Sequence, residues 1–404
     1  MRRRWGLLGG SLVVGLMALS ASSSGQAPPP GPGGPLPGLT PAELSRWQVG
    51  QRAFLKVVDV PTGLGPVFND NACAKCHGGP AGPPGAPPAG VGGGSPRMAT
   101  RFGRVANGQF DPLINLGGPL IQEKGIGKVG KVNFVGEKVP PQANVVAKRR
   151  TTPLFGLGLV DAVPDAVFVQ IAQHQHQVTP ATAGRPAPAV DAATGAGRVG
   201  KFGWKAQEPT LFDFAADALV NELGITTPVF PQENCPQGNC QLLAANPART
   251  NPNEMDNVSV QQLTDFMALL APPPPGPANA DTRAGQQIFA AIGCADCHLP
   301  SLQTGPSPVA ALNHVTFAPY SDFLLHDMGT LGDGIVQNAA GPREMRTAPL
   351  WGLRFAPNFL HDGRARTPAD AIAGHDGQGA GSRARFNTLT PAQKNQLMAF
   401  LNSL

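Results

Sequence analysis

The sequence predicts a mostly α-helical chain with long irregular loops, and two observations lead to this fold class. Helix signals occur at residues 41–56, 281–293 and 391–404, whereas the alternating patterns of strands are few. The 404 residues also include 51 glycines and 44 prolines but only 6% aromatic residues. Such a composition favours much irregular backbone, and a bound cofactor can then supply apolar mass that aromatic side chains would otherwise supply.

Two of these helices begin with recognisable capping residues. Thr40 is suited to the N-cap of the first helix, with Pro41 at the first helical position and Glu43 placed to complete a capping box. The last helix has a similar start, with Thr390 before Pro391. Local signals therefore predict where both helices begin.

The N-terminus has the pattern of a secretory signal peptide over residues 1–27. Arginines at positions 2–4 precede an apolar stretch at 6–19, and small residues follow, with a plausible cleavage point near Ala21 or Ala27. An uncleaved membrane anchor is the alternative, although the apolar stretch is short for a span. The sequence thus predicts a periplasmic or secreted protein.

The charge of the chain gives no support for a nucleic-acid partner. Removing the three N-terminal arginines from the 31 basic residues leaves 28, against 26 acidic ones. The remaining net charge of about +2 lacks the basic excess on which phosphate-backbone binding depends.

Proline- and glycine-rich segments divide the chain. Residues 28–42 form a predicted tether, and residues 271–280 form a predicted linker. They delimit an N-terminal domain at 43–270 and a C-terminal domain at 281–404. Residues 78–97 are also rich in glycine and proline and are predicted to form a loop.

Each predicted domain contains one CxxCH motif, at residues 73–77 and 294–298. In this motif each cysteine forms a thioether with a haem vinyl group, and the adjacent histidine ligates the iron. Two such motifs after a signal peptide predict two covalently bound haem c groups. The predicted attachment residues are Cys73, Cys76, Cys294 and Cys297, and the predicted iron ligands are His77 and His298.

The two remaining cysteines, Cys235 and Cys240, lie close together in the sequence. In an oxidising compartment such a pair is expected to form a local disulfide. A metal site is the alternative, but no histidine or carboxylate cluster lies beside them in the sequence.

The two halves of the chain also repeat one another. Residues 150–157 (RTTPLFGL) match residues 346–353 (RTAPLWGL), and residues 202–210 (FGWKAQEPT) align with residues 359–367 (FLHDGRART). Self-similarity of this kind indicates duplicated structural units. With one CxxCH motif in each unit, the sequence predicts two cytochrome c-like domains that face each other.

The repeat also indicates which histidine is the sixth ligand of the C-terminal iron. That domain offers His326, His361 and His375, and the alignment pairs His361 with Trp204 and His375 with Ala218. The N-terminal domain therefore lacks a ligand where the C-terminal domain has His375. We expect a bis-His iron at the C-terminal site, with His326 and His361 as the rival ligands.

The N-terminal haem is expected to be open or weakly ligated. No histidine occurs between residues 78 and 173, where Met98 is the one sulfur-containing residue. Glu222 lies four residues after Ala218, which is one helical turn along the same face. It is a candidate distal acid/base, and a solvated helix carboxylate is the alternative.

Seven stretches of the chain resemble a known family, namely VFNDNACAKCH, RRTTPLFGLGLVDAVPD, FGWKAQEPTL, NELGIT, YSDFLLHDMG, RTAPLWGL and FLHDGRARTPADAIAGH. They are similar to the di-haem oxidoreductase family, within the superfamily of bacterial di-haem cytochrome c peroxidases and the methylamine-dehydrogenase-maturation enzyme. The similarity covers nearly the whole mature chain. It implies that His375 is the distal ligand of the C-terminal haem, that Trp204 is the tryptophan between the haems, and that Glu222 is the distal catalytic glutamate.

The sequence departs from the superfamily in three places. The Trp204-to-Glu222 spacing is two residues shorter, and the usual nearby glutamine is replaced around Phe214. An inter-domain calcium is possible but unassigned, because Arg150 and Ala356 do not resemble the residues that would hold it.

The resemblance implies a periplasmic oxidoreductase of the peroxidase type. Electrons would come from a small redox protein or another donor, reach the C-terminal bis-His haem and pass through Trp204 to the open N-terminal haem on His77. Peroxide or oxygen would bind there, and Glu222 would move protons. Two other functions remain open, an oxygenase of the rubber-cleaving haem type and an electron carrier without turnover. The sequence does not indicate the oligomeric state.

Overall fold

The computed structural model describes residues 33–77, 98–246 and 256–404. The predicted signal peptide, the first part of the tether and the predicted loop at 78–97 lie outside the described residues. Within them, no helix combines the length and the apolar run needed to cross a membrane.

Ten α-helices and thirteen short strands are present in the described part of the chain. The helices are α1 (Pro41–Leu55), α2 (Cys73–His77), α3 (Leu157–Asp161), α4 (Asp165–Val178), α5 (Leu211–Ala218), α6 (Asn257–Ala268), α7 (Ala280–Ala291), α8 (Pro368–Ala373), α9 (Ala380–Thr388) and α10 (Pro391–Leu401). The strands are β1 (Val67–Phe68), β2 (Met98–Ala106), β3 (Gln109–Asp111), β4 (Lys124–Gly125), β5 (Gly127–Val129), β6 (Val132–Phe134), β7 (Val145–Arg150), β8 (Ala187–Val190), β9 (Gly197–Gly200), β10 (Leu302–Gln303), β11 (Thr316–Phe317), β12 (Leu325–Asp327) and β13 (Glu344–Arg346).

The prediction of a mostly α-helical fold with two cytochrome c-like domains was wrong. The chain is 38% helical and 16% strand, and the described strands form six small sheets. Most strands are too short to show an alternating pattern in the sequence. Some of them also pair with strands far along the chain, as in the antiparallel register that places Met98 opposite Arg150 and Phe102 opposite Val146.

The predicted helix starts are confirmed. Thr40 accepts a hydrogen bond from the Glu43 backbone N–H while the Glu43 side chain bonds back, which is a complete capping box. Thr390 makes the same arrangement with Gln393 at the start of α10. The helix predicted at 281–293 begins one residue earlier, because Asn279 is its N-cap.

The largest hydrophobic cluster draws residues from both sides of the predicted linker. Phe54 and Phe266, on α1 and α6, belong to the same buried cluster as Phe317 and Trp351 from the C-terminal half. Leu36 lies in this cluster too and donates its N–H to the Leu269 carbonyl oxygen at 2.8 Å. The described end of the predicted tether is therefore packed against the core.

A second cluster joins α7 to α10. Phe289 and Phe400 pack with ring centroids 5.4 Å apart, and Leu397 is fully buried beside them. Gly285 allows this close approach, because a Cβ at that position would lie 2.0 Å from the Gln396 carbonyl oxygen. The cluster supports the segment that carries the second CxxCH motif.

The internal repeat reappears as repeated local geometry. Thr210 and Thr367 cap α5 and α8 with the same backbone angles, φ −130° and ψ 159°. The preceding loops are each closed by one antiparallel bridge, Phe202 to Glu208 in the first and Phe359 to Ala365 in the second. The two helices thus begin alike.

The two repeats diverge after these helices. Helix α8 ends at Ala373, and Gly374 caps it immediately before His375. In the first repeat, α5 continues instead into a π-helix at Leu219–Leu223. The equivalent helices therefore end differently, with His375 following α8 and the π-helix that contains Glu222 following α5.

Cys235 and Cys240 form the predicted disulfide, with the two sulfurs 1.97 Å apart. The closed loop contains Gln237, whose backbone N–H donates to the Glu137 carboxylate at 2.7 Å. Just before the loop, Asn234 donates to the Val220 carbonyl oxygen at 2.9 Å. The disulfide loop is therefore bonded to Glu137, and the residue that precedes the loop is bonded to the π-helix.

Candidate haem sites and the cavity between the repeats

The first CxxCH motif forms the one-turn helix α2, and one nitrogen of the His77 imidazole is hydrogen-bonded to the backbone. The His77 Nδ1 atom lies 3.1 Å from the Thr152 carbonyl oxygen, and its ring is 5.9 Å from that of Phe54. Burial lowers the pKa of His77 to about 4, so the ring is neutral at neutral pH. With Nδ1 bonded to a carbonyl, Nε2 is the nitrogen available to a metal.

The second motif begins in a single 3-10 turn at Cys294–Asp296, introduced by Gly293 at φ +81°. His298 Nδ1 lies 3.0 Å from the Tyr320 carbonyl oxygen. Burial lowers the pKa of His298 to about 4 as well. Both motif histidines are therefore neutral rings whose Nδ1 is engaged by a backbone carbonyl.

His375 is the histidine that lies opposite His298. The two ring centroids are 6.4 Å apart, with the planes inclined by 56°. Two metal–nitrogen bonds of about 2 Å, with about 1.2 Å from each nitrogen to its ring centre, would separate two imidazoles on one metal ion by about 6.4 Å. His375 Nδ1 is also held, 2.7 Å from the Ala371 carbonyl oxygen. The separation of the rings matches that of two histidines that would hold one metal ion between them.

His326 lies in a different hydrogen-bond network. Its Nε2 is 3.0 Å from a carboxylate oxygen of Asp322, and its Nδ1 is 3.5 Å from the Cys297 sulfur. Gln175 donates to the same Asp322 oxygen at 2.8 Å. The Asp322 charge raises the pKa of His326 well above its usual value, although burial opposes this. Both nitrogens of His326 are thus engaged away from the face opposite His298.

The sequence did not reveal this network. Cys297, Asp322 and His326 place their ligand atoms within 4.8 Å of one another, the one such group of three found in the described residues. The sequence drew attention to His326 as a rival ligand of the C-terminal iron, but the structure pairs it with Asp322, four residues earlier. Gln175 comes from the other repeat, 147 positions away from Asp322, where no local pattern could indicate it.

Trp204 lies between the two repeats. Its indole N–H donates to the Arg150 carbonyl oxygen at 2.9 Å, and its own carbonyl oxygen accepts from the Arg346 N–H at 2.9 Å. His361 faces it edge-on, with ring centroids 6.3 Å apart. The Arg150 N–H donates to the His361 carbonyl oxygen at 2.7 Å. His361 is thus a neighbour of Trp204, and His375, not His361, is opposite His298.

Glu222 lies in the π-helix, beside the first motif. Its carboxylate accepts from the Asn69 side-chain amide at 2.7 Å, and its carbonyl oxygen accepts from the Asn69 N–H at 2.8 Å. Burial raises the pKa of Glu222 above its usual value, with the Asn69 bond acting in the opposite direction. Burial likewise raises the pKa of the Cys73 thiol to about 11, and Glu222 adds to this rise. Glu222 is therefore within electrostatic reach of the first haem motif.

A large cavity lies beside the second motif and is lined by both repeats. Its walls include Cys294, Cys297, His298 and His375, together with Trp204. The space between the walls, including the part open to solvent, is about 1970 Å³. A cavity of this size with a histidine on each side is suited to a planar cofactor that is ligated from both faces.

The charges around the cavity suit a haem. Among the described residues that line it, four carry permanent positive charge, namely Arg150, Lys201, Arg346 and Arg383, and none is a carboxylate. The Nε atom of Arg150 is buried and has no hydrogen-bond partner. A haem has an apolar ring and two propionate carboxylates, so it would fill the apolar space and supply the missing anions. The residues present therefore fit this cofactor.

Three solved structures are similar to the chain at low sequence identity. Hydrazine synthase of Kuenenia stuttgartiensis has 14% identity and a TM-score of 0.37, with 98% of this chain and 100% of that chain covered. A MauG-like protein associated with microbial copper homeostasis has 14% identity and a TM-score of 0.41, covering 96% and 95%. A variant of the diheme peroxidase BthA from Burkholderia thailandensis has 16% identity and a TM-score of 0.27, covering 71% and 93%.

At identities and TM-scores this low, none of these three structures decides the family. No curated protein matches the chain. A family model described as "Di-haem oxidoreductase, putative peroxidase" matches residues 141–404, which is more than half of the chain and includes the second CxxCH motif. The chain belongs to the di-haem oxidoreductase family.

Proposed function

We propose that this di-haem oxidoreductase is an exported peroxidase-type enzyme with two inequivalent c-type haems. When bound, the two haems supply electron storage and an iron site for peroxide. The observation that carries the proposal is the difference between the two repeats. His375 lies 6.4 Å from His298, ring centre to ring centre, whereas the repeat-equivalent residue in the other half is Ala218.

Each of the four motif cysteines would form one thioether, and each motif histidine would ligate one iron. His375 would supply the second strong ligand at the C-terminal site. Its Nδ1 bond to the Ala371 carbonyl oxygen fixes the ring orientation and leaves Nε2 as the ligating atom. A site with two histidine ligands excludes peroxide, so it is suited to holding electrons.

Trp204 would connect the two sites. Its indole N–H donates to the carbonyl oxygen of Arg150. Two residues after Arg150, the carbonyl oxygen of Thr152 is hydrogen-bonded to Nδ1 of His77. The Trp204 ring also lines the cavity beside His298. Fixed contacts on both sides keep the aromatic ring in one position, as an electron relay requires.

Glu222 would handle protons at the N-terminal site. Its carboxylate is anchored through one oxygen to Asn69 at 2.7 Å, and its raised pKa brings its titration closer to neutral pH. A general acid/base is most effective when its pKa is near the working pH. Glu222 would take the proton from one peroxide oxygen and return it to the leaving oxygen, and Ala218, the repeat equivalent of His375, has no side chain that could ligate an iron.

The partners follow from this chemistry. A small redox protein or another electron donor would supply electrons to the C-terminal site, and peroxide or oxygen would be the oxidant. Attachment through CxxCH motifs and the predicted signal peptide at 1–27 both support export to the periplasm or beyond.

Electron paramagnetic resonance of the holoprotein, with a pyridine haemochrome assay, tests the proposal. We expect two haems per chain that remain attached under denaturing conditions, one low-spin and one wholly or partly high-spin. Two low-spin haems that do not react with peroxide or oxygen would identify an electron carrier instead. Oxygen-dependent cleavage of a polyisoprene without peroxide turnover would identify an oxygenase.

A further inference from the structure

The positive charges around the cavity differ in how far their hydrogen bonds are already satisfied. Arg346 donates through Nε to the Gly203 carbonyl oxygen at 2.7 Å and through Nη1 to the Thr347 carbonyl oxygen at 2.9 Å. Its guanidinium also lies over the Phe323 ring, 5.3 Å from the centroid. Both of these Arg346 donors are thus already bonded within the protein.

Lys201 and Arg383 have carboxylate partners outside the cavity wall. The Lys201 ammonium lies 3.0 Å from an oxygen of Asp165, and the Arg383 guanidinium lies 3.3 Å from an oxygen of Asp376. These pairs neutralise both cations within the protein.

Arg150, like Arg346, has no ion pair in the described part of the chain, but it differs from Arg346 in that one of its buried donors is unused. Its Nη1 donates to the Asn358 carbonyl oxygen, while its Nε is buried without a partner. Of the described residues that line the cavity, no other has a buried side-chain nitrogen or oxygen in this state. A buried cation without an anion is costly, so the site is incomplete as the protein alone forms it.

We propose that Arg150 binds a propionate carboxylate of the haem whose iron lies between His298 and His375. This inference rests on the proposed haem at that site. The planar guanidinium presents adjacent N–H groups that match the two oxygens of a carboxylate, and the unpartnered Nε is one of them. Arg150 is 8% exposed, so the pair would be shielded from water and strengthened accordingly.

The position of Arg150 gives this contact a further consequence. Arg150 belongs to the N-terminal repeat, at the end of β7, whereas the cavity's two histidine ligands belong to the C-terminal repeat. Its carbonyl oxygen also accepts the indole N–H of Trp204. A propionate on Arg150 would therefore fix the edge of the C-terminal haem beside Trp204 and join the two repeats through the cofactor.

The first test is the midpoint potential of the low-spin haem in the holoprotein, measured for wild type, Arg150→Gln and Arg150→Lys. A buried cation beside a haem favours the reduced state, so its removal should lower the potential. We expect the oxidised-to-reduced ratio at a fixed ambient potential to rise about tenfold in Arg150→Gln. For a one-electron couple this corresponds to a midpoint potential about 59 mV lower than that of the wild type. Arg150→Lys, which keeps the charge but loses the planar fork, should shift less in the same direction.

The matched control is Arg364→Gln. Arg364 follows His361 by three residues and pairs with Asp362 at the surface, its side chain 54% exposed, and it does not line the cavity. We expect the wild-type potential for this variant. An unchanged potential in Arg150→Gln, or an equal shift in Arg364→Gln, would overturn the propionate contact.

A second measurement needs no variant. A crystal structure of the holoprotein should place a propionate oxygen within about 3.2 Å of Arg150 Nε, and both propionates lying away from Arg150 would overturn the inference even if Arg150→Gln failed to fold. Failure of the proposed function would look different. Wild-type protein would then lack the second haem or its bis-His signal, whatever the state of Arg150.

Discussion

Trp204 and His361, which occupy equivalent places in the two repeats, meet edge to face with ring centroids 6.3 Å apart. The same two residues are joined through Arg150, whose carbonyl oxygen accepts from the Trp204 indole and whose N–H donates to the His361 carbonyl oxygen. A duplicated pair has thus diverged in chemistry while keeping contact at the interface. One member is an extended aromatic ring suited to electron transfer, and the other is a buried imidazole beside it.

Replacing the Trp204 indole tests its proposed role in electron transfer. Trp204→Phe keeps an aromatic ring but removes the N–H bond to Arg150, which leaves a carbonyl unpaired and should cost about 1 kcal/mol of unfolding free energy. We expect both haems to remain attached and peroxide turnover with a reduced electron donor to slow, because the ring is smaller and less firmly held. Stopped-flow spectroscopy of the low-spin haem during turnover measures this step.

Trp47→Phe is the control for that experiment. Trp47 is buried against Phe266, with centroids 5.8 Å apart, and its indole nitrogen has no hydrogen-bond partner. The substitution therefore removes a similar volume without breaking a bond. Equal slowing in Trp47→Phe and Trp204→Phe would show that general loosening of the core, and not the relay, is responsible.

His375→Ala should convert the C-terminal iron from low-spin to high-spin. The imidazole facing His298 is removed, and imidazole added to the solution should restore the low-spin spectrum by entering the vacated space. His176→Ala is a close control, because His176 has the same 2.7 Å bond from Nδ1 to the carbonyl oxygen four residues earlier but lies exposed on α4. A low-spin signal that survives in His375→Ala would return the ligand assignment to His326 or His361.

How far the sequence could predict this arrangement depends on the range of each interaction. The CxxCH motifs and the Thr40 and Thr390 caps are visible because covalent chemistry and local hydrogen bonds require particular residues at fixed spacing. The sequence repeat likewise pairs His375 with Ala218, because it depends only on matching residues at matching spacing.

Neither the fold class nor the hydrogen-bond network of Gln175, Asp322 and His326 could be predicted from local sequence patterns. The strand pair of Met98 and Arg150 is set by register between distant segments. The bond between Gln175 and Asp322 joins side chains from different repeats. Nor does the sequence distinguish Arg150 from its repeat partner Arg346, although only the latter has its Nε directed at a backbone carbonyl in the described structure.

Glu208 should make stability fall as the pH rises. Burial raises its pKa to about 8, with the charges of Asp217 and Asp213 adding to the effect. Because the folded state holds this proton more tightly than the unfolded chain, its contribution is complete below the ordinary pKa of about 4.5 and is lost as the pH rises towards 8. Glu208→Gln should flatten this slope in denaturant unfolding of the holoprotein. A slope equal to that of the wild type between pH 4.5 and 8 would contradict the assignment.

Glu222→Gln tests the proton-handling role most directly. The substitution keeps an oxygen that can accept the Asn69 amide, so both haems and the fold should be retained, whereas proton transfer is lost. We expect peroxide reduction to slow by about 10²- to 10⁴-fold, measured by stopped flow at matched haem content. The wild-type rate should also show a titration displaced above the usual glutamate pKa, and this limb should disappear in the variant.

Glu123→Gln provides the matched control for Glu222→Gln. Glu123 donates its backbone N–H to the side-chain oxygen of the same Asn69 at 3.0 Å, but its own side chain is exposed. It contributes a smaller share to the raised pKa of Glu222 than burial does. We therefore expect near wild-type turnover and a pH limb shifted slightly downward. If Glu123→Gln slows peroxide reduction as much as Glu222→Gln, the effect arises from the local charge balance, and Glu222 is not the acid/base.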